Sequence, residues 1–107
     1  MDARIALCGW CYDGTTPVRL IDFKDEDGDE ATPTAATYAV RDVLTGTELV
    51  VATTMTVTTP TYALTLPLAA TAVVDADRGV ELRLVDVQYT VNGRAQRLPF
   101  LIEVVHV

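Results

Sequence analysis

GVELRLVDVQYTV at residues 79–91, NG at 92–93 and RAQRLPFLIEVVHV at 94–107 read together as one long β-hairpin. Valine recurs through the first segment, and β-branched side chains, stiff at χ1, suit a pleated, half-buried surface better than a helix. Asn92-Gly93 is the strongest local signal in the chain. Both residues accept positive φ, as the two central positions of a type I′ turn require. The expectation is a long strand over 79–91, with Val80, Leu82, Leu84 and Val85 turned in part toward a core, and a partner strand returning over 94–107.

Upstream, the same chemistry repeats in shorter pieces. Residues 17–24 alternate, with Val18, Leu20 and Phe23 apolar against Arg19, Asp22 and Lys24, although Ile21 breaks the strict period. The charged stretch 25–32 carries Asp27-Gly28, a dipeptide that favours a turn. Residues 35–44 form the next strand candidate, Thr45-Gly46 turns the chain, and 47–52 continues it. Residues 53–59, nearly all threonine and valine, read as a strand or an extended edge. Pro60 interrupts them because proline donates no ladder hydrogen bond. Tyr62, Leu64 and Leu66 alternate in 61–66, and only 67–77 leans toward a short helix. At the start, residues 3–8 read as a strand and 9–16 as an irregular arm holding Trp10 and Tyr12.

About seven short strands without alternating helices predict an all-β fold, an antiparallel two-sheet sandwich, with a small barrel as the competitor. The 107 residues accommodate one domain, residues 1–107, with 1–16 as its N-terminal strand and arm. Half the residues are hydrophobic, so an ordered core is expected. A net charge of -7 and a pI near 4.4 weigh against nucleic acid and anionic membranes as partners. Residues 1–7 lack the basic and apolar regions of an export signal, and no apolar run is long enough to span a bilayer.

Little in the chain points to catalysis. Serine is absent, His106 is the sole histidine, and no glycine-rich phosphate loop occurs. Cys8 and Cys11 form C-G-W-C, but a redox pair sits at a helix start, where the dipole lowers the thiol pKa, and here a turn sequence follows. A closed zinc site needs four ligands, and only His106 among the usual nitrogen and sulfur donors remains to join the pair. A structural metal shared between subunits stays open as an alternative to two free thiols. The acidic run from Asp25 to Glu30 fails as a calcium loop: counted from Asp25, positions six and twelve hold Glu30 and Ala36 rather than glycine and glutamate. No enzyme, cofactor or resident metal is therefore expected. Two places read as contact surfaces instead. Trp10 and Tyr12 are aromatics of the kind enriched in interface hot spots. Thr54, Thr56 and Thr58 lie on the threonine-rich stretch able to pair across a subunit boundary.

Three runs carry a family resemblance: Phe23-Lys-Asp-Glu-Asp-Gly, Thr32-Pro-Thr-Ala-Ala-Thr-Tyr and Arg41-Asp-Val-Leu-Thr-Gly. Together they resemble the small Ig-like virion proteins of tailed bacteriophages, in which an acidic turn precedes T-P-T, an aromatic-bearing strand and a D-x-x-T-G hairpin. Tyr62-Ala-Leu-Thr-Leu and Glu81-Leu-Arg-Leu-Val-Asp-Val-Gln-Tyr extend the likeness over residues 17–105. The resemblance implies an Ig-like sandwich without cofactor or catalysis. It implies a repeated structural subunit of a virion, made in the host cytoplasm. Its partners would be copies of itself and other virion proteins, on the capsid or at the head-tail or tail junction. The Cys8–Cys11 segment lies outside the pattern. The alternative is an Ig-like protein- or carbohydrate-binding module of a bacterial surface system.

Overall fold

The computed structural model describes residues 6–107, with side chains from residue 9 onward. Seven strands and one short helix follow in the order β1 (Ala6–Tyr12), β2 (Val18–Asp22), β3 (Ala35–Asp42), β4 (Glu48–Thr54), β5 (Thr61–Thr65), α1 (Leu68–Thr71), β6 (Val80–Val91) and β7 (Arg94–Val105). They form a five-stranded sheet, β1-β7-β6-β3-β4, and a two-stranded sheet, β2-β5, arranged as a sandwich.

The β6–β7 hairpin is the spine. It pairs antiparallel without a break from Val80↔Val105 to Val91↔Arg94. Asn92 and Gly93 turn it with φ of 53° and 76°, the double positive φ that the dipeptide foretold. The other pairings are also antiparallel except β1 with β7, which is parallel, from Ala6↔Phe100 to Tyr12↔Val105. The arm expected to be irregular over 9–16 is thus strand as far as Tyr12. The β7 edge supplies it with hydrogen bonds that no local sequence signal advertises. Of the strand expected over 3–8, residues 3–5 lie outside the described residues.

The core fills from both sheets. Phe23, Ile21, Leu64 and Leu66 come from the small sheet and its flanks, and meet Val40, Val85, Val87, Ile102 and Val104 from the large one. Phe23 is fully buried, which contributes about 1.5–3 kcal/mol. Its ring meets Tyr89 edge-to-face at 4.9 Å, and the Tyr89 hydroxyl donates to the carbonyl of Lys24 at 2.8 Å. A large aromatic therefore enters the core with its one polar atom satisfied.

One expectation about β6 is corrected. Its inward-facing residues are Glu81, Arg83, Val85, Val87, Tyr89 and Val91; on the other face Asp86 is also buried, Val80 and Leu82 are exposed and Leu84 is half-buried. Strand alternation leaves no choice once Val85, Val87, Tyr89 and Val91 are inside, since every second residue shares a face. In its first half β6 is therefore inverted, with charges inward and leucines outward.

Candidate interaction surface and the buried ion cluster

The inward charges are held by a closed network at the end of the sandwich opposite the Asn92-Gly93 turn. Arg83 Nη1 donates to Asp42 Oδ1 at 2.7 Å, Nε donates to the carbonyl of Ala70 at 3.0 Å, and Nη2 donates to that of Ala72 at 2.6 Å. Arg83 Nη2 also lies 2.7 Å from Glu81 Oε1. The guanidinium thus binds two carboxylates and the carbonyls that end α1, a task its forked donors suit. Arg78 pairs with Asp42 at 3.2 Å and with Glu81 at 3.4 Å. His106 Nε2 comes within 2.7 Å of Glu81 Oε2, off the line of a hydrogen bond.

Both carboxylates ionise more readily than usual. Burial pushes Asp42 upward, but the hydroxyl and N–H of Thr45 and the Arg78 guanidinium outweigh it and hold the group below its ordinary value. Burial likewise pushes Glu81 upward and is outweighed by the Asp75 and Val74 N–H groups and by Arg83. These charges are saturated by protein donors. The cluster closes one end of the sandwich, and its residues line none of the grooves at Leu20, Thr56 and Gln96.

The outward half of this inversion forms a surface. Cys11 points into the core, so Trp10 and Tyr12 on β1 point away from it, 55% and 48% exposed. Their rings meet edge-to-face at 5.0 Å. Register carries the row across the sheet: Tyr12↔Val105↔Val80 and Trp10↔Glu103↔Leu82, with Leu101↔Leu84 beyond. Val43, 47% exposed, joins at the far side through its N–H bond to the Leu82 carbonyl. Four strands at about 4.8 Å and three same-face rows make this apolar area on the order of 300 Å². Above it the face turns polar, with Asp86 bound by Arg97 at 2.8 Å and approached by Arg41 at 3.8 Å.

The sheet edges are blunted. On β4 the register slips twice, between Tyr38 and Val40 and between Val40 and Arg41, and bulges of this kind twist an edge away from partners. On β1 a bulge falls between Leu7 and Trp10, where Gly9 has φ of 97° and the Arg19 guanidinium sits 3.4 Å from where a Cβ would stand. Arg19 also donates to the Trp10 carbonyl at 3.2 Å, occupying an acceptor of that edge.

The structure therefore groups Trp10 and Tyr12 with Val105 and Glu103, which the sequence did not single out, and with Val80 and Leu82, which were expected to turn in part toward the core. Thr54, Thr56 and Thr58 stand apart at the opposite edge. Thr54 ends β4, and Thr56 and Thr58 fall in residues 55–60, which form no strand. Cys11 is a free, buried thiol, and the side chain of Cys8 lies outside the described residues. Among the described residues no three of His, Cys, Asp or Glu are placed to hold a metal, and no helix is long and apolar enough to cross a membrane. No protein-family model, curated protein or solved structure matches the chain.

Proposed function

We propose that this chain is a non-catalytic structural subunit that packs into a larger assembly through the outer face of its five-stranded sheet. The setting is the one its turn motifs resemble, the particle of a tailed bacteriophage. The observation that carries the reading is the inverted half of β6, where leucine and valine face solvent beside Trp10 and Tyr12 while charges are inside. A rigid sheet with blunted edges and one apolar face is suited to packing, and exposed apolar areas of this size mark contact sites. Association of this kind needs no cofactor or bound metal.

A binding module for protein or carbohydrate is the second reading, and the exposed Trp10–Tyr12 pair is what favours it. The two rings stand at 81° to each other, so they offer a corner rather than the flat shelf on which a sugar ring stacks. Packing against another protein suits that corner better.

The test is mass spectrometry of purified particles made from the genome that encodes this chain, with and without Leu82→Glu in the chain. Wild-type protein present at many copies per particle, and its loss in the variant, is the expected result. Absence of the wild-type chain from particles overturns the proposal.

A further inference from the structure

We propose that the outer face of the large sheet docks onto the outer face of the small sheet of a second copy, so that copies stack face to back. The inference rests on the assembly reading and names one of its partners.

The back of the sandwich is also apolar. Along β2, Ile21 and Phe23 point inward, so Val18, Leu20, Asp22 and Lys24 point outward, and Leu20 is 75% exposed. Register sets Ala63 and Thr65 of β5 beside Leu20 and Val18. Both outer faces of one molecule thus expose branched apolar side chains, which a solitary subunit gains nothing from.

Charge selects the mate. Glu103 lies in the middle of the large-sheet patch, flanked by Trp10 and Leu82 in register, and has no ion pair among the described residues. Face against identical face would bring this carboxylate toward its own copy on molecules that already carry -7 each. The small-sheet face instead offers Lys24, exposed and likewise without an ion pair among the described residues. Asp22, between Leu20 and Lys24, already accepts a hydrogen bond from the Thr61 hydroxyl at 3.0 Å. Leu20 and Lys24 are about 13 Å apart at ~3.3 Å per residue, a span the patch accommodates.

The area fixes the strength. About 300 Å² on the large-sheet face is well under the roughly 800 Å² per partner of a stable complex, and the two-stranded face is smaller still. A single contact is weak, and copies accumulate only where each uses both faces. A contact between unlike faces of identical subunits closes into a ring or runs on as a filament.

Sedimentation from micromolar to millimolar protein tests this, with circular dichroism confirming that each variant is folded. Wild type is expected to grow beyond a dimer with concentration. Leu82→Glu and Leu20→Glu, each with one face spoiled, are expected to stay monomeric alone and to form a capped heterodimer when mixed. Glu103→Lys or Lys24→Glu should weaken association about tenfold, and the double exchange should restore it. A wild type that stays monomeric at millimolar concentration overturns the stacking. So does a mixture that fails to pair, or an association that survives Leu20→Glu. If particles still contain the chain in those cases, the assembly reading stands with a different partner.

Discussion

Arg83 Nη1 donates to Asp42 Oδ1 at 2.7 Å across two side chains that are 1% and 0% exposed, and this pair joins β6 to the end of β3. Removing one partner of such a pair leaves the other charged and unsolvated, which costs more than the pair itself contributes. Arg83→Met should therefore destabilise the protein by about 3–5 kcal/mol, a large part of the roughly 5–15 kcal/mol a domain possesses. Asp42 and Glu81 would lose the closer of their two shared cations, keeping only Arg78, and the Ala70 and Ala72 carbonyls would lose a donor. Arg83→Lys should recover only part, because an ammonium cannot reach four acceptors in one plane. Urea denaturation reads both, and a Met variant within about 1 kcal/mol of wild type would show the cluster to be dispensable.

The same two carboxylates set the acid limb of stability. Asp42 and Glu81 both ionise below their ordinary values of 3.8 and 4.5 when folded. Groups lowered on folding add stability that is complete above the unfolded value and is lost as pH falls through the folded one. Unfolding free energy should thus be nearly level from neutrality to about pH 5 and decline below about pH 4. Glu81→Gln, measured by denaturant titration at several pH values, should start lower and show a shallower decline. An unchanged acid slope in that variant would assign the effect to other carboxylates.

The sequence foretold the architecture where local chemistry decides it. Asn92-Gly93 set the hairpin, Pro60 closed the threonine-rich run before β5, and the alternation in 61–66 placed Leu64 and Leu66 inside. It failed where distant partners decide. The leucines of β6 were expected to turn inward, which left Glu81 and Arg83 on the other face, and partners that local pattern does not reveal, Asp42 and the α1 carbonyls among them, make the burial of these charges tolerable. Trp10 and Tyr12 stood out as contact residues, yet their neighbours on the surface come from β6 and β7, about 70 to 95 positions away. The inversion was nevertheless legible in principle. The alternation of Val85, Val87, Tyr89 and Val91 runs out of phase with that of Val80, Leu82 and Leu84, and one strand cannot bury both sets.

Gly93 sits at φ of 76°, where a Cβ meets the following carbonyl. Gly93→Ala should cost about 1–2 kcal/mol, although open space surrounds the position and no packing contact is lost. The denaturant midpoint should fall with the slope unchanged, since the same surface is exposed on unfolding. A neutral substitution would mean that the turn is not what keeps β6 and β7 in register.

Leu82 and Val87 give opposite answers to the same substitution if β6 is inverted as described. Val87 is fully buried, and threonine there keeps the shape while placing a hydroxyl in the core, at a cost of about 1–3 kcal/mol. Leu82 is 37% exposed on the outer face, and Leu82→Thr exchanges a larger apolar group for a β-branched residue suited to a strand. Its effect on monomer stability should stay within about 0.5 kcal/mol, as for surface sites generally. The larger side chain should thus matter less to folding than the smaller one. If Leu82→Thr proves as costly as Val87→Thr in dilute protein, Leu82 belongs to the core and the outward apolar face does not exist. If it is neutral when dilute yet lowers association when concentrated, the leucine is retained for contact.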